Sequence, residues 1–218
     1  MALSKVDYNS MNVTPTASKA IKFNSSNNGL EAGDIGGNLV LLATQTASSS
    51  ATISFTSNID SAYKEYLVKF INIHQATDDK YLSVQFDTGT NTNYNQTITS
   101  ANFRAYHDEA VSETTLEYRT GNDQAQGTAF QNLMVSSGSN NDNDSGSCGY
   151  LHLFDPSSTT FVKHFIARMN FQTNSSAPYS MDTFVSGYVN TTTALTRVQF
   201  KFNSGNIDAG TIKMYGVL

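Results

Sequence analysis

The chain has 218 residues, a formal net charge of −5, 39% hydrophobic residues and only 14% charged ones, which fits one medium domain with a short appendage. Asn, Ser, Thr, Gly and Gln stand in for the missing charge, so long surface helices built from Glu, Lys and Arg are disfavoured. The 13 basic residues are scattered and leave no electrostatic footprint for nucleic acid or an anionic membrane.

In chain order, the first feature is a shortage of bulk. Of 13 Phe and 11 Tyr, only Tyr8 and Phe23 fall in the first fifty residues, and a packed core needs large side chains. Residues 1–37 therefore read as an extended N-terminal arm, followed by a domain over 38–218. The arm's few apolar residues, Leu3, Val6, Tyr8, Ile21 and Phe23, read as docking points, since pure linkers rarely carry such groups. The arm contains no apolar run of signal-peptide type, and no stretch of the chain approaches the ~18–20 apolar residues that cross a bilayer. The expectation is synthesis in a cytoplasm with no membrane insertion.

A strand is predicted at "NLVLLAT", and from residue 51 onward the period is two. "YKEYLVKFINIH" is compatible with helical spacing, but its β-branched and aromatic content favours a central strand covered on both sides. "YLSVQF" places Leu82, Val84 and Phe86 on one face. "FVKHFIARMNF" places Phe161, Phe165, Ala167, Met169 and Phe171 together, with His164 outward. "TRVQFKF" points Val198, Phe200 and Phe202 inward, and "GTIKMYGV" buries Ile212 and Met214. Turn signals such as "TDDK", "DTGTNTN", "GSNNDNDSGSCG" and "NSGN" separate these runs. Many short strands at this spacing predict an all-β, antiparallel, jelly-roll-like β-sandwich.

Signals for chemistry are weak. His74, His107, His152 and His164 show no metal-binding spacing, and "YHDE" (His107, Asp108, Glu109) reads as a solvated turn, because adjacent strand residues face opposite ways. Cys148 is the only cysteine, which excludes an internal disulfide; its polar, Gly-rich surroundings predict an unreactive thiol. An EF-hand read from Asn140 would put Ser145 and Leu151 where glycine and glutamate are required, so 139–149 reads as a polar loop. No nucleophile elbow or phosphate-binding loop occurs. No catalytic, cofactor-binding or metal-binding residues are assigned. A sugar-binding role would call for exposed Tyr beside loops such as 87–96 or 139–149. An enzyme acting on glycans would need two carboxylates facing each other across a groove.

The closing stretch "FNSGNIDAGTIKMYGVL" resembles the last strands of jelly-roll virion proteins of tailed bacteriophages, particularly marine ones. Their Gly-x-Ile-x-Leu-Tyr-Gly-like strand corresponds to Gly210, Ile212, Met214, Tyr215 and Gly216. "YKEYLVKFINIH", "NFRAYH", "GNDQAQGTAFQNL", "LHLFDPSSTTFVKHF" and "GYVNTTTALTRVQFKF" resemble the same group in the same order, so the likeness spans roughly 58–218. The resemblance implies a non-enzymatic structural protein on the virion surface: a capsid decoration or cement protein, a head fibre, or a tail-fibre or baseplate component. Its partners would be other virion proteins, met through the N-terminal arm, and further copies of itself, with a trimer favoured and no cofactor. The alternatives are a tail adhesin that binds a host surface glycan and, more remotely, a glycan-degrading enzyme.

Overall fold

The computed structural model describes residues 13–14, 19–26, 28–33, 37–135 and 139–218. These divide into two units, one ending at Asn38 and one running over Leu39–Leu218. In the first, the stretch predicted as extended contains a hairpin of β1 (Ala20–Phe23) and β2 (Leu30–Gly33). Asn24 closes its turn by donating its backbone N–H to the carbonyl of Gly29 at 2.9 Å, and Lys22 pairs with Glu31 at 3.4 Å. Ile21 and Phe23 are exposed on β1; Leu3, Val6 and Tyr8 lie outside the described residues.

The second unit is all β, as its alternation predicts. Its strands are β3 (Leu39–Thr46), β4 (Ile53–Phe55), β5 (Glu65–Gln75), β6 (Leu82–Thr88), β7 (Ile98–Asp108), β8 (Thr114–Tyr118), β9 (Gln131–Asn132), β10 (Ser147–Phe154), β11 (Lys163–Gln172), β12 (Tyr179–Val189), β13 (Leu195–Phe202) and β14 (Ile207–Val217). They form an eight-stranded sheet in the order β3-β14-β5-β10-β11-β12-β7-β8 and a four-stranded sheet in the order β4-β13-β6-β9. Within these, β3 pairs with β14, β4 with β13, β5 with β10 and β6 with β9, all antiparallel. That nesting of early strands with late ones, alternating between the two sheets, is a hairpin ribbon rolled into a jelly roll. Two further hairpin segments, β7–β8 and β11–β12, widen the large sheet beyond the roll.

The core lies where the two sheets face each other. Phe200 of the small sheet meets Phe70 of the large one edge to face at 5.1 Å and touches Phe55 at 6.4 Å. Phe86 and Phe165 make a second cross-sheet contact at 5.6 Å. Such pairs add to the area they bury. Gln85 is fully buried, and its amide lies 2.9–3.1 Å from the carbonyls of Gln96, Thr128 and Ala129. It thereby fastens the long connections around β7 to the small sheet.

Three local expectations are corrected. Phe161 is 70% exposed, because β11 begins two residues later. Its inward register is taken by Lys163, fully buried, whose Nζ donates to the Thr191 carbonyl at 2.9 Å and whose pKa burial pulls down. Cys148 is not in a loop but exposed on β10. The long segment β5 is central in its sheet, yet its second face is open: Ile71 is exposed and Lys69 half-buried there.

The glycines of the closing strand have separate jobs. Gly210 takes φ of +113°, and a Cβ there would stand 2.5 Å from the Asn72 carbonyl and 2.8 Å from Ile73 Cα, at a point where the β14–β5 register shifts. Gly216 leaves room for the ring of Tyr63. Phe200→Ala should lower stability by about 3–5 kcal/mol and Gly210→Ala by about 1–3 kcal/mol. Ile166→Ala, on the open face, should stay within about 0.5 kcal/mol; urea unfolding curves of the three variants check this order.

Candidate functional site: the open face of the large sheet

One face of the large sheet is spent on the core; the other is not. Strand alternation turns every second residue of the eight strands outward, and the pairing registers line these residues up across the sheet. One row runs Lys213, Lys69, Tyr150 and Arg168, then continues through Phe184, Phe103 and Tyr118. At the ~4.8 Å spacing of neighbouring strands it is about 29 Å long. The next row carries Tyr215, Leu67, His152 and Ile166.

The aromatic half of the first row is rigid. Phe103 and Phe184 stack at 4.8 Å with their planes 7° apart. Because this separation matches the strand spacing, the rings stand upright on the sheet. The Arg168 guanidinium lies over Phe184 at 4.7 Å and is held by Asp182, with Nε donating to Oδ1 at 2.9 Å and Nη2 to Oδ2 at 2.5 Å. This two-pronged bond is the main reason that the Arg168 pKa is raised and fixes the plane of the guanidinium.

The other half of the row is built differently. Lys69 and Lys213 are direct partners across β5 and β14. Neither makes an ion pair with a carboxylate among the described residues; Lys69 Nζ lies 5.6 Å from the centre of the Tyr215 ring. A hollow of about 310 Å³ opens beside the row between Cys148, Tyr150, Arg168, Asn170 and Asp182. A second, of about 550 Å³, lies over the small residues Ala101, Ser186 and Gly187, flanked by His164, Ile166 and Tyr188.

The four histidines are dispersed. His74 is fixed by the carbonyls of Asn141 and Asp142 at 3.1 Å, His152 bonds Glu65, His164 is exposed beside Tyr188, and His107 Nδ1 lies 2.6 Å from the Asp108 carbonyl. Among the described residues no three His, Cys, Asp or Glu side chains converge as a metal site would require. Tyr94, the one tyrosine of the 87–96 loop, is buried, so the surface expected there is absent; Tyr150, just after the 139–149 segment, is half-buried on the open face.

At one end of the sheet, Tyr106 and Tyr179 meet edge to face at 5.1 Å, and their hydroxyls donate to Glu113 at 2.8 and 2.9 Å. They line a hollow of about 260 Å³ with Arg104 and Met181. Nearby, the turn predicted as solvated is organised by a buried carboxylate. Asp108 accepts from the Ser112 hydroxyl and from the backbone N–H groups of Ser112 and Glu113 at 2.8 and 2.9 Å. These bonds, led by that of the Ser112 hydroxyl, hold its pKa below the ordinary Asp value.

No protein-family model, curated protein or solved structure matches the chain. Among the described residues no helix is long and apolar enough to cross a membrane.

A depressed carboxylate pKa contributes stability that is complete above the unfolded value, about 3.9, and is lost as pH falls through the folded one. Asp108→Asn should therefore melt below the wild type at neutral pH, and the gap should close as pH falls from about 5 to 2. Thermal melts of both proteins across that range check the sign.

Proposed function

We propose that this protein is a non-enzymatic structural component of a tailed-bacteriophage virion, displayed on the particle surface. In this reading it is a head decoration, cement or fibre protein, or part of the tail fibre or baseplate. The observation that carries the reading is the place of β14. The stretch Gly210–Gly216, one of the ordered segments that carry the likeness to phage jelly-roll proteins, forms the strand that closes the rolled ribbon between β3 and β5. The segments 63–74, 102–107 and 187–202 that share the likeness supply most of β5, part of β7, and the end of β12 with β13.

The N-terminal segment docks onto other virion proteins while the sandwich faces outward. Exposure of Ile21 and Phe23 on β1 supports their use as docking points. Copies assemble through weak contacts multiplied by symmetry, as a trimer, so that retention on the particle comes from avidity and not from one strong site. No cofactor enters this function. Synthesis in the host cytoplasm precedes assembly.

Removal of residues 1–37 tests the docking role. The shortened chain should keep the melting temperature of the sandwich, whose first strand starts at Leu39, and should be lost from purified particles when it replaces the full chain during infection. Incorporation at the wild-type level would refute docking by this segment.

A further inference from the structure

The open face of the large sheet carries an arrangement that the fold does not need. Like charges directly opposite one another on neighbouring strands destabilise a sheet. Here Lys69 and Lys213 are such a pair, in a chain whose net charge is −5. No carboxylate among the described residues reaches either of them as an ion pair. Packing does not explain the two lysines, since both project from the side of the sheet away from the core. An anion seated between them would remove the repulsion.

The neighbours on the same row say what kind of anion. Tyr150 follows Lys69, and Arg168 follows Tyr150, so two lysines without a carboxylate partner among the described residues, a phenol and the Asp182-bound guanidinium lie within about 14 Å at the ~4.8 Å strand spacing. Beside them the hollow lined by Asn170 and Asp182 offers amide and carboxylate oxygens, and Tyr215 adds a second ring next to the lysines. Spaced cations suit a chain that carries its charges at intervals. Rings and fixed polar oxygens suit sugar carbons and hydroxyls. Single-stranded nucleic acid fits worse: it brings a phosphate with every nucleotide and is met by strongly basic grooves, whereas Asp182 and Glu65 also stand on this face.

We infer that the row Lys213–Lys69–Tyr150–Arg168 is a binding site for an acidic polysaccharide, with the paired lysines holding its carboxylate or sulfate groups. This does not depend on the virion assignment and is tested on the purified full chain. In native affinity gels, alginate (a polyuronate) or dextran sulfate should retard the protein and uncharged dextran should not. Retardation should weaken as salt is added. The Lys69→Ala/Lys213→Ala double variant should lose at least tenfold in apparent affinity with a melting temperature no lower than that of the wild type, since it removes the opposed charges, and Lys69→Arg/Lys213→Arg should retain binding.

Four results would overturn the site. These are retardation by neither acidic polymer, equal retardation of the alanine variant, tighter binding to oligo(dT) than to either polysaccharide, or an alanine variant that sediments at a smaller mass than the wild type. The last would make this face a contact between copies of the chain.

Discussion

Phe200 is the contact on which the rest of this molecule depends. It sits on the small sheet with Phe55 beside it and Phe70 of the large sheet across from it, so one side chain joins both layers. Phe86 and Phe165 repeat the arrangement farther along. With these rings in place the inner faces are used up, and the small sheet has only four strands with which to cover eight. Segments between strands, fastened by residues such as Gln85, cover the remainder of the inner face.

That inequality leaves one outer face broader than the other. A sandwich of two equal sheets offers two outer faces of similar size. Here β7–β8 and β11–β12 broaden one sheet only, and the broadened face carries an upright Phe103–Phe184–Arg168 stack beside an unrelieved lysine pair. The stack is preorganised by Asp182. The lysines have no carboxylate partner among the described residues. An ordered ridge next to two such lysines is the feature on which the proposed binding site rests.

Much of the fold was legible in the sequence because alternation is a local property. Val198, Phe200, Phe202, Ile212 and Met214 are buried as their period of two requires. Local pattern fails where strand ends decide the outcome. Phe161 shares the register of Phe165 but precedes the strand, so Lys163 takes the buried place. The β1–β2 hairpin was missed because its strands are only four residues long and show no clear alternation of buried and exposed positions. The candidate site was less visible still. Lys69, Tyr150, Arg168 and Lys213 are far apart in sequence, and only the pairing of β14, β5, β10 and β11 brings them into one row. No periodicity within a single strand encodes that register. The expectation of exposed tyrosines near the loops came close at Tyr150 and failed at Tyr94, which folds inward where Asp87 accepts its backbone N–H at 2.8 Å.

The central functional claim is that the sandwich stands on the outside of a virus particle. Immunogold electron microscopy of intact purified particles, with an antibody raised against residues 39–218, tests it most directly. Label over heads, tail tips or fibres is the predicted result, and its position separates a decoration role from host attachment. Particles without label, in a lysate where the same antibody detects the free chain, would contradict the claim.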